Sequence, residues 1–192
     1  MGPCKSTGGV HETSKKVSAF KSADELVDYD TLFPAGSTKS AVSKHCTREV
    51  WEEYKDLKDE AGVSFKTCIF SGVKNLDSGI GCYAGSHDSY KTFNKLFDKI
   101  IEDYHGHGVD AKHVSNMDAT SIVNADFTPE ESAMVNSTRI RVGRNLAGFP
   151  LGPGITREQR NEVMSTVVKA LENFEGDLKG KFYPLAGMDK KT

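Results

Sequence analysis

Apolar residues recur at helical spacing along much of the N-terminal half of the chain. From Ser86 to about Tyr104, the residues Tyr90, Phe93, Leu96, Phe97, Ile100, Ile101 and Tyr104 lie three or four positions apart or adjacent. That spacing predicts one long helix with an unbroken apolar face. Thr47 stands as an N-cap before REVWEEYKDLKDEA, where Val50, Trp51, Tyr54 and Leu57 share a face and Trp51 reads as a core anchor. Ser22 and Glu25 have capping-box spacing and predict a short helix, and Ser37 to Cys46 is a further helical candidate. Residues 65–83 show no convincing period and are punctuated by Gly72, Gly79 and Gly81, so they read as mostly loop.

The pattern changes after Tyr104. A polar run from His105 to about Val135 reads as a connector. Ser137 to Val142 alternates with period two and predicts a strand, with Thr138, Ile140 and Val142 on one face and Arg139 and Arg141 on the other. Gly152-Pro-Gly154 marks a turn. Thr156 and Gln159 form a second capping-box pattern, opening a helix to about Phe174 that is expected to bury Val163, Met164, Val167, Leu171 and Phe174. Lys181 to Leu185 is a short strand candidate that Pro184 restricts to an edge. One strand, one helix and one more strand are too few to close a sheet and cover its faces. The pattern is that of an incomplete domain.

Composition narrows the function. In 192 residues, 25 basic side chains meet 27 acidic ones, so no basic excess favours nucleic acid. No apolar run approaches the roughly 18 residues of a membrane span, and the first fifteen residues are polar, unlike a secretory signal. Cys4, Cys46, Cys68 and Cys82 are widely spaced, which disfavours thiolate metal ligation or a disulfide scaffold and suits a reducing, cytoplasmic setting. Met1 to Ser6 fits a loose myristoylation pattern, but Pro3 stiffens the segment a transferase must grip. His105, His107 and His113 have no carboxylate or thiol at familiar metal-site spacing and read as surface histidines; no metal ligands are assigned.

Two stretches carry candidate chemistry. LDSGIGCYAG, Leu76 to Gly85, matches the loose Gly-x-Gly-x-x-Gly/Ala pattern through Gly79, Gly81 and Ala84. A dinucleotide loop needs a strand before it and a helix opening on it, and Asn75-Leu-Asp-Ser78 is turn chemistry instead. What remains is either a tight structural turn or a backbone able to approach a ligand closely. Arg139 and Arg141, with Ser137 and Thr138 beside them, suit phosphate or carboxylate oxygens through bidentate hydrogen bonds. On pattern alone, a solvated strand face explains them more simply.

The motifs FSGVKNLDSGIGCYAG, LFDKIIEDYHG, STRIRVGRNLAGFPL and FYPLAGM occur in this order along the chain. Together they resemble the phosphagen kinases, the ATP:guanidino phosphotransferases, over nearly all of the chain beyond its N-terminal tail. The resemblance implies an α+β protein. Residues 1–15 would be a disordered tail and 16–106 a small all-helical domain for the guanidino substrate. A connector over 107–133 would lead to 134–192, the truncated start of an antiparallel-sheet and helix catalytic domain.

The implied activity is reversible transfer of the γ-phosphoryl group between MgATP and a guanidino nitrogen. ATP/ADP with Mg would be the nucleotide, L-arginine or another guanidino compound the partner, and the full-length form a monomer or homodimer. Ser78, Gly79, Ile80, Gly81, Cys82 and Tyr83 would touch the guanidino substrate. Ser137, Thr138, Arg139, Ile140 and Arg141 would touch the nucleotide phosphates, and Asp77 would lock domain closure. The short loop with Tyr83, and Tyr104 on the helix end, resemble arginine kinases. Cys82 and Ala84-Gly85 have a creatine-kinase character, and taurocyamine or lombricine kinases stay open. The family's catalytic acid and reactive cysteine have no counterpart in these residues, so no catalytic residue is assigned and the chain is expected to be inactive alone, either as an N-terminal portion of the enzyme or as a non-catalytic short isoform.

Overall fold

The computed structural model describes residues 18–34, 39–122 and 126–188. The lipidation motif, the expected tail and the expected helix start at Ser37 lie outside them.

Among the described residues, six short helices build the first unit: α1 (Tyr29–Leu32), α2 (Ala41–His45), α3 (Arg48–Tyr54), α4 (Phe65–Lys74), α5 (Ser89–Thr92) and α6 (Asn94–His105). Side-chain caps start most of them. Ser40, Thr47 and Ser64 accept from the backbone N–H three residues on and so satisfy an otherwise orphaned donor. The core runs from Leu26 to Ile100. Its centre is aromatic: Phe65 lies 5.3 Å from both Tyr54 and Phe93 and 6.4 Å from Trp51, in tilted or edge-on geometry. Such pairs add about 0.5–1.5 kcal/mol each beyond area burial. Trp51 is the anchor its spacing implied.

Several local expectations are corrected. Residues 65–74 are a helix, not a loop: Phe65, Cys68, Ile69, Gly72 and Val73 form its buried face. Gly72 is part of that face rather than a break. The helix after Thr47 ends at Tyr54 instead of Ala61, because the chain turns back so that Lys58 bridges Ser64, and Leu57 is left exposed. Ser22 makes no side-chain cap, and only a 3-10 turn, Ala23–Glu25, follows it. The single helix expected to Tyr104 is two, broken at Phe93, where φ is −111° and ψ is 34°. Gly106, at φ 70°, stops the second in a left-handed conformation that a β-carbon would strain.

Beyond Ile100 no described residue is fully buried. α7 (Pro129–Met134) and α8 (Arg157–Glu172) form, each opened by a complete capping box. Of the residues expected to be buried by this helix, Val163 is half-buried, while Met164, Val167, Leu171 and, just past its end, Phe174 are exposed. Among the described residues the only β pairing is the Lys58–Ser64 bridge. Among the described residues, the expected start of an antiparallel sheet does not form. Ser137 to Val142 and Lys181 to Leu185 are irregular, with Ile140 92 % and Val142 84 % exposed. Alternation creates a strand only when a neighbouring strand takes its N–H and C=O groups, and these two segments do not pair. One later segment does dock on the helical unit: Leu151 packs against the core, and its N–H donates to the Gly85 carbonyl at 2.8 Å.

Candidate functional site

The Ser78–Tyr83 loop is held from two sides. The carbonyls of Gly79 and Ile80 accept from the Ala41 and Val42 N–H groups, at 2.8 and 2.9 Å, so the first turn of α2 is capped by the loop's backbone. On the other side, the Gly81 carbonyl accepts from the Gly72 N–H at 2.7 Å, and the Tyr83 N–H donates to the Cys68 carbonyl at 2.9 Å. Gly81 has φ 83°, which glycine alone adopts without strain. The carbonyls from Gly79 to Gly81 are thus committed to the fold. Among the described residues, the N–H groups from Gly79 to Cys82 have no backbone acceptor. The loop can offer these donors to an anionic or carbonyl group.

The loop's outgoing limb is fixed by a buried carboxylate. Asp59 accepts from the N–H groups of Val63 and Ala61, and from the hydroxyls of Ser86 at 2.8 Å and Ser89 at 2.5 Å. The Ser89 hydroxyl in turn accepts from the Gly85 and Ser86 N–H groups at 3.0 Å. The chain therefore leaves Tyr83 in one defined direction.

Beside the loop lies a cleft of 310 Å³. Ile80, Cys82 and Tyr83 form one wall and Phe97, Ile101 and Tyr104 another, with His105 and Asn145 at polar positions. Tyr83 is 58 % exposed and Tyr104 is also exposed, so both rings are accessible to a ligand. Tyr83 also borders a second cleft with Phe70, Lys74 and Asn75. A mostly apolar concavity with a few polar groups is the usual form of a small-molecule site.

Burial disfavours the thiolate form of the thiols near the loop. Burial pushes Cys82 up to about 12, helped by the Cys68 sulfur, and pushes Cys46 up to about 12, helped by the Cys82 sulfur. Burial also raises Cys68, against hydrogen bonds from the Gly85 backbone and Ser89. All three are reduced.

The second candidate group is not assembled. Ser137, Thr138, Arg139, Ile140 and Arg141 are exposed on the irregular segment, and none of them lines the cleft beside the loop. Asp77 is exposed on the loop's approach. The donors have the chemistry for phosphate oxygens, but their convergence would require the missing strand pairing. Sequence reasoning overlooked Asp59, Ser86, Ser89 and Gly72. The four-residue spacing of Cys68 and Gly72 on a helical face was the available signal for Gly72. Nothing local marks Asp59 as buried, since its partners lie up to thirty positions away.

Residues 36–102 match the family model for the ATP:guanido phosphotransferase N-terminal domain, and the chain is similar to members of that family, the phosphagen kinases. It is similar to arginine kinases. It is 46 % identical over 160 residues to an arginine kinase of Anthopleura japonica, covering 83 % of this chain and 22 % of that protein. It is 42 % identical over 167 residues to the arginine kinase Lit v 2 of Penaeus vannamei, covering 85 % of this chain and 46 % of that protein. The chain thus spans less than half the length of these relatives.

Among solved structures, it resembles the duplicated taurocyamine kinase of Schistosoma mansoni with bound transition-state analogue components. The TM-score is 0.71 at 28 % identity, covering 84 % of this chain and 23 % of that one. A lombricine kinase matches with a TM-score of 0.69 at 27 % identity, covering 88 % of this chain and 44 % of that one.

Proposed function

We propose that this chain supplies the acceptor-binding part of a phosphagen kinase that transfers the γ-phosphoryl group of MgATP reversibly to L-arginine. Residues 16–106 form the guanidino-substrate domain, 107–133 the connector, and 134–192 the beginning of the nucleotide-binding domain. The observation that carries this reading is the Ser78–Tyr83 loop itself. Its carbonyls from Gly79 to Gly81 are used by α2 and α4, its N–H groups from Gly79 to Cys82 meet no backbone acceptor among the described residues, and its Tyr83 ring stands exposed beside an apolar cleft. Phosphoryl transfer needs positioning and charge stabilisation more than covalent chemistry. A rigid backbone loop can orient the acceptor, and Arg139 and Arg141 can neutralise phosphate oxygens. Asp77 would lock closure over the two substrates and exclude water. Arginine is favoured because the curated relatives are arginine kinases. A taurocyamine- or lombricine-type substrate is the second reading, favoured by the structural neighbours.

The 192-residue chain by itself, incubated with MgATP and L-arginine, is expected to form no phosphoarginine, because its arginine segment is unassembled. In a full-length enzyme carrying this sequence, Tyr83→Ala should raise the KM for L-arginine more than that for ATP. Arg139→Ala should do the reverse. Equal effects of either substitution on both substrates would refute the division of roles.

A further inference from the structure

The contact between the loop and α4 uses a particular pair of backbone groups. The Gly72 N–H and the Cys68 carbonyl are four residues apart on one helix, so they are the donor and acceptor of a single helical turn. Here the loop engages both, the Gly81 carbonyl at Gly72 and the Tyr83 N–H at Cys68, at 2.7 and 2.9 Å. The approach is close enough that position 72 has no room for a side chain. A β-carbon there would lie 2.6 Å from the Gly81 oxygen and 2.9 Å from its α-carbon, and would also overlap Val42 Cγ1. From the other side, a β-carbon on Gly81 would lie 2.8 Å from the Gly72 α-carbon.

We propose that Gly72 is a positioning residue for phosphoryl-acceptor binding: its bare α-carbon and its N–H set how deeply the Ser78–Tyr83 loop sits on the helical domain. It touches no substrate and acts through the loop. Its effect on substrate rests on the loop being the acceptor site; its effect on the loop does not. Lifting the loop off α4 strands neither helix group, because Gly72 N–H and Cys68 C=O can satisfy each other. Alanine favours helix over glycine. Gly72→Ala should therefore displace the loop while leaving α4 intact.

Three buried thiols report on this directly. Cys82 follows Gly81 in the loop and is 7 % exposed, whereas Cys46 and Cys68 lie under other elements at 0 %. The experiment alkylates the native chain with iodoacetamide and maps each cysteine by mass spectrometry, for the natural sequence and for Gly72→Ala. L-arginine binding is measured on both by calorimetry. Release of Cys82 from burial returns its thiol toward its ordinary value of 9.0, so its alkylation should rise at least about tenfold while Cys46 and Cys68 stay protected. L-arginine affinity should fall by about tenfold or more, as expected for a misplaced binding loop.

Unchanged Cys82 protection in Gly72→Ala overturns the proposal. Equal exposure of all three thiols signals global unfolding. The double variant Gly72→Ala/Val42→Ala then decides, since it removes the Val42 overlap and leaves only the clash with Gly81. Selective Cys82 exposure in it supports the proposal, and protection or continued global exposure overturns it. If the natural chain fails to bind L-arginine but Gly72→Ala still exposes Cys82 selectively, the loop-positioning role stands and the acceptor-site reading falls.

Discussion

Asp59 is a buried carboxylate that accepts four hydrogen bonds, two from backbone N–H groups and two from serine hydroxyls. Asp59→Ala leaves those donors without their acceptor in a site too enclosed for water to replace it freely. The expected loss is on the order of 3 kcal/mol, read from urea unfolding of the natural and variant chains. Ser89→Ala should lose less, because the carboxylate keeps its other partners. The buried thiols give a second residue-scale expectation. Cys46 and Cys82 stand at about 12 when folded against an ordinary value of 9.0. The folded state then holds protons that the unfolded state releases, so stability is fully present below about 9 and falls as pH rises toward 12. Unfolding free energy measured across that window should decline less steeply in a Cys46→Ala/Cys82→Ala variant.

At the scale of elements, α4 is the shelf on which the loop rests, and its start depends on one hydroxyl. Ser64 Oγ accepts from the Thr67 N–H at 3.2 Å. Ser64→Ala should cost about 1 kcal/mol, seen as a lower urea midpoint with an unchanged slope. The capping boxes were legible from spacing alone at Thr156, where both reciprocal bonds form. At Ser22 the same spacing produced no cap: the Glu25 N–H donates to the Ser22 carbonyl in a 3-10 turn, and the Glu25 carboxylate accepts from the Lys21 N–H. α4 was hidden by its glycine, which reads as a breaker along the chain and serves as a contact surface in three dimensions.

At the scale of the whole molecule, burial is uneven. The aromatic core lies within the helical unit, and the described residues beyond Ile100 are at most half-buried. Leu151 and Gly154 are exceptions in kind: the Leu151 N–H holds Gly85, and a β-carbon on Gly154 would overlap the Gly85 carbonyl. Backbone outside stable packing opens readily. Limited trypsin digestion should therefore cut first at Lys112, Arg139, Arg141 or Arg144, and only later at Lys74 or Lys99. Early cleavage inside α4 or α6, followed by mass spectrometry, would contradict this picture.

The sequence by itself determined what neighbouring residues decide among themselves: the Thr47 and Thr156 caps, the apolar face from Phe93 to Ile100, the turn at Gly152 to Gly154, and motifs specific enough to indicate the family. These depend on side chains a few positions apart, whose geometry follows from the helical repeat. Tertiary structure alone decided that Ser137 to Val142 would not become a strand, because a strand borrows its hydrogen bonds from another segment. It also decided that the carbonyls from Gly79 to Gly81 serve α2 and α4, and that Gly72 makes room for them. Those relations join backbone groups far apart in sequence, and a backbone carbonyl looks the same in every residue until a partner reaches it.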